Sequence, residues 1–594
     1  MLEAHRGSLL DRHKTAIALT QETYHVGVAP NELRDPAGDA GAIGRALHLS
    51  VDDVQRALRK RYAYFAGPYG ATTVQSIRDL RGVHLEAVLN RFYPAPDLAR
   101  AVVGRVGDDG RGASGLEKTL DSLLSGVPGA AVVLKDRAGR EYESPARQIR
   151  APVAGNDVLL TIDAELEDIA QRALDEAVAR LDADGGDVVM LDPATGELLA
   201  VASVRRDGSV RPSAFIDSYE PGSVAKIFAA AALLAHHRIA PTDRVSGEGG
   251  RYKLADRTIV DEEPLPTLTL ADAIRVSSNI AMVKFTTRLS ADEQFGMLRA
   301  FGLGTPTGIE FPAEASGRLR RPADWSRPTP ASLAIGYEVS VTPLQVAAAY
   351  GAIANNGVLL QPTLIREVLA PDGTLLYRHR AEPVRRAVTP EVAHQLRDLL
   401  AGVVTKSGTG ASAALTTFQI AAKTGTARRV VGGRYAPGQY TASFAALFPA
   451  DRPQLVVVVK IDNPRKGSYF AAETAAPVTR SMLEQALAAR DVALDRVRLS
   501  VPSPAADTEP VEDDGGVAPF VVSWPLARDT DAPPPTRPVP DVHGRALREA
   551  AQMLHRRGFH VVLKGWGTVD HTWPAAGASA PAGTLITVFA TEHS

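Results

Sequence analysis

A proline-rich and acidic stretch, residues 501–538, is the feature that most limits how this chain can fold. It includes Pro533-Pro534-Pro535, and such segments adopt extended, semi-rigid conformations instead of joining a core. The whole chain has 594 residues, which also exceeds what one hydrophobic core supports. We therefore predict several domains, with a linker between a long N-terminal part and a short C-terminal part.

Composition narrows the classes of function. The chain contains no cysteine, which excludes thiol catalysis, disulfide bonds and metal sites with cysteine ligands. Its formal net charge of −2 and the lack of a long Lys/Arg run give no reason to expect nucleic acid as a partner. No stretch approaches the ~18 apolar residues that cross a bilayer, so no membrane-spanning segment is predicted within the sequence.

Changes in composition predict four segments. Residues 1–154 are mixed in composition and rich in short loops, and residues 155–492 alternate between strand and helix patterns. Residues 493–537 form the linker, and residues 538–594 form a small βαβ-like unit. In this last segment an apolar stripe at helical spacing precedes a glycine that would stop the helix. The stripe and the glycine are Leu547, Ala550, Ala551, Leu554 and Gly558.

The second segment has strand patterns at both ends and helix patterns between them. Asp163 is the candidate N-cap of a helix whose apolar residues recur at helical spacing as far as Leu181. The predicted strands are residues 157–162, 188–191, 198–202, 418–427, 441–448 and 455–461. A further helix is predicted to run to about Arg490. This order favours an α+β domain in which helices flank an antiparallel sheet.

The sequence Pro221-Gly222-Ser223-Val224-Ala225-Lys226 runs into a helix-forming Ala/Leu segment, so Ser223 is predicted in the first turn of that helix. Residues three apart share a helix face, which brings the Lys226 ammonium towards the Ser223 hydroxyl. A serine is a weak nucleophile until a base takes its proton, and a lysine can serve where burial, the helix N-terminus and another cation lower its pKa. Alone, this spacing more often marks solvated neighbours on a helix.

The sequence Ser277-Ser278-Asn279 is the second candidate motif. The hydroxyl of Ser277 and the amide of Asn279, two residues apart, can face a common cleft from a turn. By itself the sequence is better explained as a polar loop or a helix cap, because serine and asparagine favour both.

The third candidate motif is Lys423-Thr424-Gly425-Thr426, which follows a strand-like run. A glycine weakens a strand unless something must approach the backbone closely, and a peptide that adds to the strand as a new edge would do so. Lys423 would supply a second cation that lowers the Lys226 pKa and attracts a substrate carboxylate. A similar sequence, Lys406-Ser407-Gly408-Thr409, lies among glycines with no strand before it, and we assign it to a loop.

The three motifs occur in the order Ser-x-x-Lys, Ser-x-Asn and Lys-Thr-Gly, with the serine opening a helix and the last motif on a strand. This combination is the signature of penicillin-binding proteins and serine β-lactamases. Residues 219–226 are similar to the Tyr-Glu-Pro-Gly-Ser-x-x-Lys sequence of class B penicillin-binding proteins. Residues 335–345 resemble a segment typical of their division-type members.

The flanking segments resemble parts of the same class. Arg6-Gly7 with Asp11-Arg12, then Arg91-Phe92-Tyr93-Pro94 and Gly115-Leu116-Glu117, match the pedestal domain that precedes the catalytic domain. In that class a membrane helix lies just before the Arg-Gly pair, so the resemblance implies an anchor that is not present in this chain. The C-terminal segment, which begins at Val539-Pro540-Asp541-Val542, resembles one PASTA domain.

The resemblance implies a peptidoglycan D,D-transpeptidase that forms an acyl-enzyme and that β-lactams inhibit. The catalytic residues it implies are Ser223 as nucleophile, Lys226 as base and Ser277 as proton relay. The substrate-binding residues it implies are Asn279 for the donor amide and Lys423, Thr424, Gly425 and Thr426 around the terminal carboxylate. The backbone N–H groups of Ser223 and Thr426 would form the oxyanion hole. No cofactor and no metal are expected.

The resemblance also implies a transpeptidase domain of the penicillin-binding-protein and serine β-lactamase type, preceded by a pedestal domain and followed by a small α/β PASTA-like domain. The expected partners are peptidoglycan stem peptides and lipid-linked precursor strands, β-lactams, a SEDS-family glycosyltransferase and divisome proteins. The expected location is the extracytoplasmic face of the bacterial cytoplasmic membrane. The PASTA-like segment and residues 336–345 favour division over elongation or sporulation.

Other functions remain open at this point. A D,D-carboxypeptidase would share all three motifs and donate the acyl group to water. A serine β-lactamase would need a base that activates water for deacylation, for which the sequence offers no counterpart. A bifunctional synthase would need a glycosyltransferase domain, and residues 1–150 show no acidic motif for one. A non-catalytic muropeptide-binding scaffold is disfavoured by the intact Ser223, Lys226 and Lys423.

Overall fold

The structure, a computed structural model, describes residues 3–135, 141–254, 257–500, 536–565, 567–581 and 584–591. The chain forms two compact units, Met1–Pro504 and Ala505–Ser594. Most of the predicted linker lies outside the described residues. The larger unit combines helices with mainly antiparallel sheets, as predicted for an α+β fold.

The N-terminal part is built on a long strand, Ala16–Val28, which pairs antiparallel with both Ala63–Gly70 and Val83–Phe92. One face of this sheet buries its apolar side chains against the helices Pro36–Leu47 and Val51–Leu58. In each helix a side chain before the first turn accepts a backbone N–H bond, which satisfies a donor that the helix leaves free. The other elements of this part are Leu9–Leu10, the 3₁₀ helix Pro30–Glu32, Ala71–Val74, Arg100–Val103, Gly115–Thr119, Asp121–Leu124, Ala130–Lys135 and Glu141–Arg150.

Glu117 joins the N-terminal motifs that carried the family resemblance. Its fully buried carboxylate accepts hydrogen bonds from Arg6 Nε at 2.8 Å and from Arg91 Nε at 2.7 Å. The Tyr93 hydroxyl lies 3.4 Å from the same carboxylate. Because a buried carboxylate is stable only with such partners, three motifs that are distant in sequence are fixed at one point.

A short strand, Leu9–Leu10, joins the N-terminal part to the part that follows it. This strand pairs antiparallel with Ala16–Val28 and parallel with Asp157–Leu160. Asp157–Leu160 pairs on its other side with Ile365–Leu369. One sheet therefore runs across the predicted boundary at residue 154.

The motif-bearing part is organised around a five-stranded antiparallel sheet. Its strands, in spatial order, are Ala421–Val431, Arg434–Phe448, Leu455–Asp462, Gly185–Leu191 and Leu198–Arg205. One face packs against the helices Ala164–Leu181 and Ala475–Ala488, and the other against a layer that contains Lys226–Ala235 and Pro343–Ala354. The five strands predicted here are confirmed with shifted ends, because alternating side chains bury against both layers.

The remaining elements of the large unit are short. Its other helices are Ser213–Ile216, Leu270–Arg275, Asn279–Thr286, Ala291–Ala300, Thr329–Ala334, Pro390–Ala401 and Arg496–Ser500. Its other strands are Val245–Ser246, Arg251–Leu254, Arg257–Val260, Thr267–Leu268, Arg318–Leu319, Val339–Ser340, Val358–Leu360, Leu375–Arg378 and Pro383–Arg386. Leu494 and Leu499, which fall within the predicted linker, are buried in the core that contains Ala164–Leu181. The packed unit thus continues past residue 492.

The C-terminal unit packs one helix against a three-stranded sheet. The helix is Leu547–Arg556, and the sheet has the strand order His560–Gly565, Leu585–Thr591 and Thr568–Trp573. A separate pair of strands is formed by Thr536–Pro538 and Ser579–Pro581. Ala550 and Leu554 from the predicted apolar stripe are buried in its core, and Gly558 follows the helix with φ +82°. Nowhere in the described part of the chain is a helix long and apolar enough to cross a membrane.

Candidate active site

Ser223 lies in a 3₁₀ turn, Gly222–Ala225, that leads directly into the helix Lys226–Ala235. The sequence predicted the first turn of an α-helix, and the structure replaces that turn with the tighter 3₁₀ form. Side chains at i and i+3 eclipse in a 3₁₀ turn, so Ser223 and Lys226 still share a face. The Ser223 side chain is half-buried, and its hydroxyl makes no hydrogen bond to any of the described residues.

The Ser223 turn is held by the segment that resembled division-type proteins. Tyr219 and Val341 exchange two backbone hydrogen bonds of 2.9 Å, and the Gly222 N–H donates to the Gly336 carbonyl at 3.0 Å. Gly336 has φ +81°, and a Cβ there would lie 1.9 Å from the Gly222 carbonyl oxygen. Glycine is therefore required at this contact, and residues 335–345 fix the position of the nucleophile.

The glycine of the third motif faces the same turn. A Cβ on Gly425 would lie 2.7 Å from Val224 Cγ2 and 2.8 Å from the Pro221 carbonyl oxygen. The prediction that this glycine makes room for a substrate is corrected here, because its missing side chain makes room for the protein's own Ser223 turn. The strand Ala421–Val431 lies at the edge of the sheet, so its outer side can still accept a peptide.

Ser277 brings two lysines together. Its Oγ lies 3.1 Å from Lys226 Nζ and 2.8 Å from Lys423 Nζ, and Lys226 also donates to the Ser277 carbonyl. Ser277 adopts φ +58° between the helices Leu270–Arg275 and Asn279–Thr286. Because a hydroxyl has two lone pairs and one hydrogen, accepting from both amines leaves the Ser277 hydrogen available to a substrate.

Both lysines are completely removed from solvent, with exposed fractions of 0%. Burial lowers the pKa of Lys226 to about 7, although the charge of Asp261 acts in the opposite direction. Burial, and then the charge of Lys226, hold the pKa of Lys423 well below its usual value. Removal from water, and not the predicted charge of Lys423, is therefore the main cause of the low Lys226 pKa.

Asp261 is a site residue that sequence reasoning missed. Its Oδ1 accepts the backbone N–H groups of Asn279 at 2.6 Å and Ile280 at 3.0 Å, and its Oδ2 accepts the Ser278 hydroxyl. The Asn279 side-chain amide donates to the Val260 carbonyl at 2.9 Å. Asp261 thus fixes the start of the helix that carries Asn279, from a hairpin with no sequence pattern that points to this contact.

The threonines of the third motif lie at the other side of the cleft. Lys423 Nζ donates to the Thr424 carbonyl at 3.1 Å, and Thr426 Oγ1 accepts the Ala471 N–H at 3.2 Å. The sequence that resembled this motif, residues 406–409, lies in a loop as predicted. It still contacts the site, because Thr409 Oγ1 lies 2.8 Å from Thr424 Oγ1.

A second buried lysine, Lys460, lies on the same five-stranded sheet as Lys423. The strand Arg434–Phe448 separates the strands of the two lysines. Lys460 Nζ donates to Asp187 at 3.0 Å and to Asp462 at 2.6 Å. Burial alone would lower the pKa of Lys460, but the two carboxylates raise it above its usual value. The Tyr219 ring lies under this ammonium at 5.3 Å, which connects the ion cluster to the segment that precedes Ser223.

Comparison with known proteins gives three family matches along the chain. Residues 186–484 match the penicillin binding protein transpeptidase domain, residues 1–160 the penicillin-binding protein dimerisation domain and residues 538–590 the PASTA domain. These matches agree with the predicted fold class and with the family resemblance.

Individual relatives extend over most of the chain. The probable peptidoglycan D,D-transpeptidase PenA of Neisseria meningitidis is 30% identical over 501 residues, which cover 81% of this chain and 84% of PenA. Stage V sporulation protein D of Bacillus subtilis is 28% identical, and the match covers 100% of this chain and 90% of that protein. The crystal structure of penicillin binding protein 3 from Mycobacterium tuberculosis, complexed with aztreonam, matches with a TM-score of 0.65 and 28% identity, over 82% of this chain and 96% of that chain. The chain therefore belongs to the class B penicillin-binding proteins and has a dimerisation domain before, and one PASTA domain after, its transpeptidase domain.

Proposed function

We propose that this protein is a peptidoglycan D,D-transpeptidase that acylates itself at Ser223. The observation that carries the proposal is the pair of fully buried lysines that meet at Ser277 beside the Ser223 turn. With a pKa of about 7, Lys226 is partly neutral at physiological pH and can accept a proton.

In the first half of the reaction, neutral Lys226 takes the Ser223 proton and Ser223 Oγ attacks the carbonyl of the penultimate D-Ala of a stem peptide. The developing oxyanion accepts hydrogen bonds from the backbone N–H groups of Ser223 and Thr426. The intermediate then collapses and the bond to the terminal D-Ala breaks. Ser277 relays the proton from Lys226 to the departing amine, which leaves Lys226 neutral again.

The second half reverses the proton path. The amine of a neighbouring stem attacks the acyl-enzyme and Lys226 accepts its proton. Lys226 returns this proton to Ser223 Oγ as the ester bond breaks, so Ser223 leaves as a hydroxyl. Asn279 holds the amide of the donor peptide with its side-chain oxygen and with the second hydrogen of Nδ2, because the bond to Val260 uses one of the two Nδ2 hydrogens. Since Lys423 has no exposed surface, its amine acts through Ser277, and Thr424 and Thr426 present the hydroxyls that contact the carboxylate.

Transfer to an amine is favoured over hydrolysis because, among the residues that the structure describes, no carboxylate near Lys226 is free of hydrogen-bond donors. Asp261 is the acid whose charge reaches Lys226, and both of its oxygens are occupied by three donors. A carboxylate that is fully engaged in this way is a poor base for water. This argues against a serine β-lactamase as the assignment.

We extend the proposal to cell division at the extracytoplasmic face of the cytoplasmic membrane, with a SEDS-family glycosyltransferase and divisome proteins as partners. Support comes from the division-type segment that holds the Ser223 turn and from the PASTA domain. One of the relatives is named for sporulation, so a role in sporulation is the alternative to a role in division. The four-segment division at residues 154, 492 and 537 is part of the same proposal, with the residues up to Leu499 assigned to the catalytic part because Leu494 and Leu499 are buried in its core.

Covalent labelling with a fluorescent penicillin tests the assignment. We expect the wild type to be labelled and Ser223→Ala to be unlabelled. The control Ser481→Ala, which changes an exposed serine on the helix Ala475–Ala488, should keep its label. Mass spectrometry should place the adduct on the peptide that contains Ser223.

Each other result changes the assignment. An unlabelled wild type contradicts the proposal, and label that is quickly lost to water indicates a β-lactamase. Release of D-Ala from a stem peptide with no transfer to an added amine indicates a carboxypeptidase. Labelling that is lost in Lys406→Ala but kept in Lys423→Ala would show that the wrong sequence was chosen as the third motif.

A further inference from the structure

The position of the Ser223 hydroxyl follows the position of its turn, because this hydroxyl makes no hydrogen bond to any of the described residues. Both residues next to Ser223 are held by one segment of the chain. The Gly222 N–H donates to the Gly336 carbonyl at 3.0 Å, and the Tyr350 hydroxyl donates to the Val224 carbonyl at 2.9 Å. The bond from Tyr350 takes no part in the proton transfers of the proposed reaction.

Tyr350 is completely buried on the helix Pro343–Ala354. Its ring packs edge-on against Phe228, with 5.9 Å between the ring centroids. Burial holds the pKa of Tyr350 well above its usual value, so the hydroxyl keeps its hydrogen and acts as a donor. The Val224 carbonyl is also removed from water, so the loss of this donor would leave a hydrogen bond that solvent does not replace.

The bond from Tyr350 reaches the turn where the hydrogen-bond pattern changes. Gly222–Ala225 is a 3₁₀ turn in which the Lys226 N–H donates to the Ser223 carbonyl, and the α-helix begins only at Lys226. At such a change of spacing, a carbonyl group can be left for a donor outside the helix. The Tyr350 hydroxyl is a donor of this kind for the Val224 carbonyl. It therefore favours the 3₁₀ form over a regular α-helical start.

The form of this turn decides how Ser223 faces Lys226. Side chains three residues apart eclipse in a 3₁₀ turn, whereas in an α-helix they are offset by about 60° around the axis. Even at the radius of the Cα atoms, this offset corresponds to a displacement of about 2 Å. Since a misplacement of about 1 Å can lower a rate by about a hundredfold, proton transfer from Ser223 to Lys226 should depend on the form of the turn.

We propose that Tyr350 is a positioning residue for the nucleophile, and that its hydroxyl holds the Ser223 turn in the 3₁₀ form in which Ser223 faces Lys226. The inference rests on the proposed acylation of Ser223. Tyr350 has no exposed surface and contacts no substrate, so it acts through the Val224 carbonyl alone. It should therefore affect the rate of acylation and not the binding of the β-lactam that precedes it.

The variant Tyr350→Phe tests the inference, because it removes one oxygen and keeps the ring that packs against Phe228. Penicillin labelling of the full chain is followed over a range of penicillin concentrations. This separates the dissociation constant of the non-covalent complex from the first-order rate constant of acylation. The rate constant should fall by about tenfold, and the dissociation constant should stay at the wild-type value.

The matched control is Thr479→Val. Thr479 is also completely buried, and its hydroxyl donates to the Ala475 carbonyl at 3.2 Å within the helix Ala475–Ala488. Both variants lose one buried bond from a hydroxyl to a carbonyl, so urea denaturation should show similar losses of stability. Only Tyr350→Phe should acylate slowly. An unfolded fraction lowers the amplitude of labelling and not the rate constant, so the comparison is independent of stability.

The pH profile separates positioning from a general opening of the site. In Tyr350→Phe the rate at high pH should be lower, while the midpoint should stay near pH 7, because the burial that sets the Lys226 pKa is unchanged. Entry of water would raise the Lys226 pKa towards its usual value. A midpoint that moves to higher pH would thus show that Tyr350 seals the site instead of positioning Ser223, and would overturn the inference.

The other failures are distinguishable as well. If the rate constant of Tyr350→Phe stays within about twofold of the wild type, the inference is overturned and the proposed function remains. An effect on the dissociation constant alone, or an equal fall of the rate constant in Thr479→Val, also overturns it. A wild type that penicillin does not label overturns the proposed function itself.

Discussion

Lys226 and Lys460 are both removed from solvent on neighbouring parts of one domain, yet their pKa values move in opposite directions. Lys226 has hydroxyl and carbonyl oxygens of Ser277 as its hydrogen-bond partners, and burial lowers its pKa to about 7. Lys460 has the carboxylates of Asp187 and Asp462, which outweigh the effect of burial.

The comparison shows what makes a buried lysine a base. Burial disfavours the charged form in both places, and the presence or absence of an adjacent carboxylate decides the sign of the shift. Tyr219 separates the two environments, with its ring under Lys460 and its backbone paired beside the Ser223 turn. A single residue, Tyr219, therefore contacts the environment of Lys460 and also lies beside the turn that precedes Lys226.

The largest expected effect is on the base itself. Lys226→Arg keeps a positive charge but cannot give up a proton near neutral pH, so acylation by penicillin should fall by about a thousandfold. The matched control is Lys406→Arg, an exposed lysine that should label at the wild-type rate. A Lys226→Arg protein that labels within threefold of the wild type would contradict the role of Lys226.

Substitution of Lys460 should affect the stability of the fold more than the rate of acylation. Lys460→Met leaves Asp187 and Asp462 with Arg205 as their shared cation in place of the two cations they have now, and the free energy of unfolding should fall by about 3 kcal/mol. Lys423→Met removes a buried amine that has no carboxylate partner and should cost about 1 kcal/mol or less. Urea denaturation of the two variants measures this contrast. Equal losses in both would show that the two environments do not differ as described.

The pH dependence of acylation should follow Lys226. Because the reactive form is the neutral amine and its pKa is about 7, the rate should rise with pH through 7 and level off above it. Between pH 6 and pH 8 the neutral fraction, and with it the rate of penicillin labelling, should increase about tenfold. A flat profile over this range, in protein that circular dichroism shows to be folded, would rule out Lys226 as the base.

The smallest expected effect separates the two contributions to the Lys226 pKa. Asp261→Asn removes the charge that raises this pKa, so the midpoint of the pH profile should move to lower pH, by less than about one unit. Asp272→Asn is the matched control, since Asp272 also caps a helix, Leu270–Arg275, next to the motif. A midpoint that stays in place in Asp261→Asn, or that moves equally in Asp272→Asn, would remove Asp261 from the electrostatics of the site.

The parts of the site that could be predicted are those that local sequence sets. Ser223 and Lys226 share a face because they are three residues apart, and the strand of Lys423 shows the expected apolar run before it. The family signature then joined elements that are distant in sequence. The meeting of Lys226 and Lys423 at Ser277 is consistent with that signature.

The rest depends on contacts that no local pattern encodes. Asp261 reaches Asn279 from a hairpin, and Gly425 owes its lack of a side chain to a turn about 200 residues earlier in the chain. Leu494 and Leu499 stand in a stretch whose composition indicates a linker, and only packing against the neighbouring helices shows that they belong to the core.

The strand Leu9–Leu10 has a consequence for how the protein can be divided. Asp157–Leu160 has Leu9–Leu10 on one side and Ile365–Leu369 on the other. A catalytic fragment that starts at residue 155 would keep the second neighbour and lose the first, which would leave backbone N–H and C=O groups open to pairing with other chains. By pairing through Leu9–Leu10, the N-terminal part thus also protects the strand Asp157–Leu160 from pairing with another chain.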